Sequence, residues 1–202
     1  MNEVELILAA RTGDLNSFNS LVLAYQELIY NHAYRMMGEM DAAEDATQNA
    51  FISAYRNIKS YRGGSFKAWL LRIVTNLCID ELRRRKRHPT VPLEPLDDNE
   101  EEIESPGWLT DLKDSPEENF EREELAKALK QCINSLTPES RAILILIDIQ
   151  GLDYKEASQV IKRPLGTVKS RLARARMQLR DCMKGFLELL PVKFRLLEED
   201  IA

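Results

Sequence analysis

The chain has 202 residues, of which 30% are charged, and a formal net charge of −5. This length allows one or two domains with an adequate core. The longest apolar run, residues 142–147, is far too short to cross a bilayer, and the sequence opens on no signal-peptide pattern. We therefore expect a cytoplasmic protein with no membrane insertion.

The average charge hides an uneven distribution. Residues 94–124 contain fourteen acidic and two basic side chains, whereas residues 153–184 contain nine basic and three acidic ones. Basic side chains clustered in one segment are the electrostatic footprint of nucleic-acid binding. The acidic average therefore does not exclude DNA as a partner.

The three cysteines, Cys78, Cys132 and Cys182, are odd in number and far apart in the sequence. Their spacing matches no metal-ligand motif, and only His32 and His88 add further ligand types. We predict reduced thiols that fill the core, with no metal and no other cofactor.

Apolar residues at helical spacing predict a first domain over residues 1–88. One amphipathic helix follows the break at Gly13, a second covers about residues 41–60, and a third runs from about residue 65 into the basic cluster 83–87. A loop with two adjacent glycines precedes the third helix. No β-alternation of useful length appears in the sequence, so we expect an all-α fold.

Two helices of this domain carry polar side chains that could bind a partner. Asp41, Glu44, Asp45 and Gln48 form a stripe at i, i+3, i+4 and i+7. Such a stripe is either a solvated face or a docking surface for a basic helix. On the third helix, Trp69, Arg72, Asn76 and Arg83 form another stripe. It suits DNA, although core packing of the tryptophan and compensation of the helix dipole also explain it.

Five prolines and most of the acids predict a flexible linker over residues 89–120. We assign a second helical domain to residues 121–184 and give residues 185–202, a tail, no role. Within the second domain, Asp153 and Glu156 form a capping-box pattern, and Pro164 begins a following helix. This pattern predicts a helix-turn-helix, the motif that inserts its second helix into the DNA major groove.

The second helix of this motif has one apolar and one polar face. Leu165, Val168, Leu172, Ala175 and Leu179 are expected to face the core. Thr167, Ser170 and Arg174 fall on the opposite face, with Lys169 and Arg171 on its flanks. Hydroxyl and guanidinium groups reach base edges, and flanking cations suit phosphates.

The order of three motifs resembles that of bacterial RNA polymerase sigma factors of the extracytoplasmic-function group, which have only the second and fourth sigma regions. The matching segments span most of the chain and are DAAEDATQNAF at residues 41–51, FKAWLLRIVTN at residues 66–76, and GTVKSR at residues 166–171 with Arg174 and Arg176. Asn49 departs from this pattern because the family commonly has an acid there. Asp153 replaces a usual serine, and both residue types cap helices.

The resemblance implies a subunit that joins core RNA polymerase and directs it to promoter DNA. The Asp41–Gln48 stripe would bind the clamp helices of the β′ subunit, with the β subunit as a further contact. Trp69, Arg72, Asn76 and Arg83 would open and read the minus-ten element, and the helix-turn-helix would read the minus-thirty-five element. An anti-sigma factor is a further implied partner.

Two other functions compete with this interpretation. A stand-alone helix-turn-helix regulator would use the second domain alone and would leave the motifs of the first unexplained. An enzyme finds no support, because the sequence offers no nucleophile-base set, phosphate loop or metal cluster. We also hypothesise that the two basic domains collapse on each other in the free protein and mask DNA contacts.

Overall fold

The computed structural model describes residues 2–87 and 116–189, which form helices joined by short loops and turns and contain no β-strand. This confirms the all-α prediction. In the described part of the chain, no helix combines the length and the hydrophobicity needed to span a membrane. Most of the predicted linker and residues 190–202 of the tail lie outside the described residues.

The first domain contains four helices, α1 (Glu3–Thr12), α2 (Leu15–Met37), α3 (Met40–Asn57) and α4 (Phe66–Arg87), with a 3₁₀ turn at Ile58–Ser60. Gly13 and Gly38 adopt left-handed conformations that end α1 and α2, and the Asp14 carboxylate caps α2. The break predicted at Gly13 is therefore a helix boundary.

The core of this domain forms where α4 packs against α2 and α3. Phe66, Leu70, Leu71, Val74 and Cys78 of α4 are all buried. One polar pair lies among them, because the Thr75 hydroxyl is 2.9 Å from Nε2 of the fully buried His32. Desolvation lowers the pKa of His32 to about 3, so its ring is neutral at physiological pH.

The second domain contains α5 (Pro116–Ser135), α6 (Pro138–Leu144), α7 (Tyr154–Ile161) and α8 (Leu165–Met183). A π-helical turn, Ile145–Ile149, extends α6, and 3₁₀ turns at Lys184–Leu189 follow α8. Helix α5 begins at Pro116, inside the segment that the sequence predicts as linker. Gly151 has a φ of 72° and follows the extended α6, as expected for a helix-ending glycine.

The two domains pack directly against each other. Helix α4 contacts α6 and α7, α2 contacts α5 and α6, and the buried apolar residues of both domains form one continuous cluster. Polar contacts reinforce this interface. Lys67 donates to the Gln150 carbonyl at 2.8 Å, and the buried guanidinium of Arg141 donates to the carbonyls of Met36 and Asn134. The described molecule is therefore a closed arrangement of the two domains.

Two predictions about packing are wrong. Cys132 and Cys182 form a disulfide between α5 and α8, and only Cys78 is a buried free thiol. Sequence spacing did not indicate this pair because 50 residues separate the two cysteines. Leu165 does not face the core but is 43% exposed, since it lies in the first turn of α8, ahead of the turns that pack on α6 and α7.

Candidate DNA and protein interfaces

The helix-turn-helix forms as its capping residues predict. The Asp153 carboxylate accepts from the Glu156 amide at 2.7 Å, and the Glu156 carboxylate accepts from the Asp153 amide at 3.1 Å. At the other end of α7, Lys162 adopts a left-handed conformation with a φ of 54°, and the Ser158 hydroxyl donates to the Arg163 carbonyl at 2.6 Å. These bonds fix the turn from which α8 begins.

One face of α8 is open to solvent. Val168, Leu172 and Ala175 are buried, whereas Lys169, Ser170 and Arg174 are exposed and Thr167 and Arg171 are half-buried. The polar groups bond within their own helix: Ser170 donates to the Thr167 carbonyl at 3.1 Å, and Arg174 Nε donates to the Ser170 carbonyl at 3.3 Å. Thr167, Ser170 and Arg174 therefore lie on the open face of α8, and Lys169 and Arg171 lie on its two flanks.

Two cations on α8 are oriented by neighbouring elements. The Lys169 ammonium lies 5.6 Å from the centroid of the Tyr154 ring. Tyr154 is itself 38% exposed. Arg176 donates to the Asp148 carboxylate through both Nε and a terminal nitrogen. The flank of the face that carries Lys169 and Arg176 is thus held in place before any DNA binds.

The polar stripe of α4 lies opposite its buried side. Arg72 and Arg83 are exposed, and Trp69 and Asn76 are half-buried. The Trp69 ring contacts the rings of Tyr61 and Phe66, with centroid distances of 5.5 and 5.4 Å. Tyr61 and Phe66 therefore hold the Trp69 ring in place while part of its surface remains accessible. This arrangement suits stacking on an unpaired base.

The loop ahead of α4 is built against this tryptophan. Gly63 and Gly64 have φ angles of 94° and 93°, which favour glycine. The buried Tyr61 donates through its hydroxyl to the Gly64 carbonyl at 2.6 Å, and the Ser65 hydroxyl accepts from the Ala68 amide at 3.1 Å. Loop and helix together frame the exposed part of Trp69.

The basic end of α4 is paired with acids of its own domain. Glu81 accepts from Arg84 and Arg85, and Arg85 also donates to Glu39 at 2.7 Å. The hydrogen bond from Arg84, assisted by Arg85, lowers the pKa of Glu81 to about 2. Phosphates that approach this end would have to compete with these carboxylates.

Glu139 connects the two surfaces that are predicted to bind DNA. Its carboxylate accepts a hydrogen bond from Arg83 of α4. Burial raises the pKa of Glu139, but the hydrogen bond from Arg83 and the nearby charges of Arg83 and Arg171 bring it below its usual value. Sequence reasoning missed this residue, because an acid after Thr137 and Pro138 is ordinary in a first helical turn.

The acidic stripe of α3 is fully available to a partner. Asp41, Glu44, Asp45 and Gln48 are all exposed, and Ala42, Ala43 and Ala50 on the other side of the helix are buried. The four polar residues therefore share a surface that neither domain covers.

Comparison with known protein families identifies both domains. Residues 21–88 match the model of sigma-70 region 2, and residues 126–179 match that of sigma-70 region 4. The first match includes the stripes on α3 and α4, and the second includes the helix-turn-helix.

Curated relatives share this organisation. The chain is 38% identical to the ECF RNA polymerase sigma factor SigE of Mycolicibacterium smegmatis, over 84% of the chain and 64% of that protein. It is 34% identical to the RNA polymerase sigma-H factor of Pseudomonas aeruginosa, over 91% of the chain and 94% of that protein. With SigW of Bacillus subtilis the identity is 35%, over 88% and 95% of the two chains.

Solved structures extend the likeness to the fold. The sigma factor RpoE of Bartonella quintana, solved in complex with the anti-sigma factor NepR, matches with a TM-score of 0.60 and 26% identity. This match covers 84% of the present chain and 98% of that chain. CnrH, solved with the cytosolic domain of CnrY, has a TM-score of 0.63 at 22% identity, over 89% and 96% of the two chains, and supports the fold alone.

Proposed function

The chain belongs to the extracytoplasmic-function group of RNA polymerase sigma factors, which direct promoter-specific transcription initiation, and we propose that its two domains divide promoter recognition between them. Residues 1–88 dock on core polymerase and read the minus-ten element, and residues 121–184 read the minus-thirty-five element. The chain and core polymerase act together in the cytoplasm.

The α8 face carries the minus-thirty-five contact. Arg174 and Ser170 are exposed at the centre of the face, where a recognition helix presents side chains to the major groove. Arginine donates two hydrogen bonds to guanine, which makes Arg174 the residue that discriminates bases. Thr167, Lys169 and Arg171 bind the flanking bases and phosphates.

The α4 stripe carries the minus-ten contact. Trp69 is supported by Tyr61 and Phe66 and stacks on a base that has left the duplex. Asn76 hydrogen-bonds the edge of such a base, and Arg72 and Arg83 bind phosphates. Reading an unstacked base couples recognition to strand opening, because only melted DNA presents that edge.

The exposed α3 stripe is the docking surface for polymerase. Its acids complement the basic side of the β′ clamp helices, and the second domain contacts the β subunit. Charge complementarity of this kind sets orientation and association rate. Because the stripe is open in the closed arrangement, docking can precede the separation of the domains.

Promoter geometry requires the closed arrangement to open. Elements centred at minus ten and minus thirty-five are about 85 Å apart along B-form DNA, at about 3.4 Å per base pair. A compact chain of this size is only about 45 Å across. The 28 residues between α4 and α5 reach at most about 95 Å when extended. The linker is thus long enough for the domains to occupy both elements, provided that their interface breaks.

An anti-sigma factor is the partner that we propose for the off state. RpoE of Bartonella quintana was solved with one, and it shares 26% identity with the present chain. A partner that binds the closed arrangement more tightly than the open one would keep the protein off promoters.

The exposed helix-turn-helix face, in the same chain as the α3 and α4 stripes, is the observation that carries this function. The proposed function is tested by transcription with the chain and core polymerase from a promoter library that is randomised at both elements. Selection of two motifs separated by a constant spacer is expected. Enrichment of a palindrome bound without polymerase would instead support a stand-alone regulator, an alternative that accounts for no feature of the first domain.

A further inference from the structure

The disulfide between Cys132 and Cys182 lies in a small cluster whose buried residues are distinct from the main core and which meets that core at Leu179. Ala128, Cys132 and Met183 are its buried members, and the partly buried residues packed around them are Leu125, Leu179, Cys182, Phe186 and Leu189. The bond joins α5 to the end of α8, while the reading half of α8 is held by the main core through Val168 and Leu172. The cluster can therefore loosen without dismantling the helix-turn-helix.

The turn of α5 that contains Cys132 also touches the first domain. Lys130 donates to the Tyr34 hydroxyl at 3.1 Å, and its ammonium lies 5.0 Å from the centroid of that ring. Asn134 lies so close to Gly38 that a Cβ at position 38 would be 2.8 Å from its Nδ2. One helical turn thus connects the disulfide to the interface between the domains.

We propose that Cys132 and Cys182 form a reversible thiol–disulfide site that sets how firmly α5 holds the two domains together. The oxidised site fixes α5 on α8 and stabilises the closed arrangement. The reduced site lets α5 loosen and makes opening easier. The proposal rests on the proposed function, because a disulfide in the cytoplasm is typically transient or redox-sensing rather than a permanent staple.

The chemistry is thiol–disulfide exchange with a small-molecule dithiol or a dithiol protein. Cys182 is half-buried and Cys132 is buried, so a thiolate of the reductant attacks the Sγ of Cys182 and Cys132 leaves as thiolate. The second thiolate of the reductant then attacks the mixed disulfide and releases Cys182. Two electrons and two protons pass to the protein, and the reductant becomes a disulfide. A disulfide oxidant reverses the same steps.

Cys78 provides an internal control within the chain. Its side chain is fully buried in the first domain, and burial raises the pKa of its thiol to about 12. A thiol that stays protonated and inaccessible does not take part in exchange. The redox response therefore belongs to the Cys132–Cys182 pair.

Two assays on the full chain test the proposal: thiol titration and limited trypsin digestion. Each is carried out on protein oxidised with oxidised dithiothreitol and on protein reduced with dithiothreitol. In denaturant we expect one thiol in the oxidised form and three in the reduced form. In the native state, reduction should speed cleavage after Lys127 in α5 several-fold and leave cleavage after Lys155 and Lys169 unchanged. The reduced form should also reach its steady transcription rate with core polymerase several-fold sooner.

The variant with Cys132→Ser and Cys182→Ser should behave as the reduced form under both conditions, and Cys78→Ala should respond as the wild type does. A count of three thiols after oxidation would overturn the proposal. Equal cleavage at Lys127 in the two forms, or uniform acceleration of cleavage at all sites, would also overturn it. Thiol counts and cleavage rates are read without polymerase. Absence of transcription in both forms would therefore count against the proposed function and leave the redox site to be judged by those readouts.

Discussion

At the scale of single residues, Arg174 has the most specific proposed role. Arg174 is exposed, and among the described residues its guanidinium bonds only to the carbonyl of Ser170 in its own helix, so no ion pair with them has to break for it to reach a base. Lys169 and Arg176 differ from it, since each is oriented by a neighbouring side chain. A base contact and a phosphate contact are therefore separable by mutation.

Arg174→Ala is expected to reduce initiation at promoters with an intact minus-thirty-five element. The loss of a bidentate base contact should cost about 1–3 kcal/mol of free energy of promoter recognition. Runoff transcription from matched promoters with intact and scrambled elements measures the effect. Arg180→Ala, at the far end of α8 beside Asp181, is the matched control and should change little. An equal loss on both promoters would reassign Arg174 to a phosphate.

His32 makes the stability of the first domain depend on pH. Its pKa is about 3 in the folded protein against 6.5 for an unperturbed histidine. The unfolded chain therefore binds one more proton between these values, and stability decreases as pH falls below 6.5. Stabilisation from the neutral ring is complete above that pH.

Urea unfolding at pH 7 and pH 5 is expected to show a loss of about 2 kcal/mol from this residue, at about 1.4 kcal/mol per pH unit below 6.5. His32→Gln retains a partner for Thr75 and removes the titration, so its stability should fall less over the same range. Parallel pH curves for the two proteins would refute the buried neutral histidine.

At the scale of helices, local bonds at the ends of α7 determine where the helix-turn-helix starts and turns. Asp153 and Glu156 cap each other's backbone amides. Asp153→Ala is expected to cost about 1 kcal/mol of unfolding free energy, because one cap bond is lost. Asp153→Ser, which retains a capping oxygen, should cost less than half of that in the same urea titration. Equal losses for both variants would show that the cap does not stabilise α7.

Features with local signals were predictable from the sequence. The Asp153–Glu156 box, the glycine after α6 and the polar face of α8 each arise within one or two helical turns. The Cys132–Cys182 bond and the Arg83–Glu139 pair join residues 50 and 56 positions apart, and no local pattern specifies them. Leu165 followed the apolar period of α8 but lies in its exposed first turn. Periodicity identifies a face without specifying how far the neighbouring helices extend along it.

At the scale of the whole molecule, the contact between the two domains affects the two basic surfaces differently. Arg83 is paired across the interface with Glu139, whereas Arg84 and Arg85 are paired with acids of their own domain and the polar face of α8 stays open. Docking on polymerase through the open α3 stripe would supply the energy that separates the domains. We therefore expect the two promoter elements to be read together only in the assembled enzyme.

Glu139→Gln is expected to raise the affinity of the free protein for nonspecific DNA about two- to fivefold, because an exposed arginine loses its acidic partner. Fluorescence anisotropy at low salt measures this. Glu124→Gln, which removes the partner of Lys127 within α5, is the matched control for one lost negative charge. If both variants gain equally, the gain reflects net charge and not release of Arg83.

The distance between the domains before and after polymerase binding shows whether the closed arrangement opens. Fluorophores on Glu27→Cys in α2 and Gln159→Cys in α7 would report it by energy transfer, since both positions are exposed. In the oxidised protein the native thiols are bonded or buried, so labelling is confined to these sites. We predict efficient transfer in the free protein and its loss when core polymerase is added. Unchanged transfer in a complex that binds polymerase and initiates transcription would show that the domains do not separate.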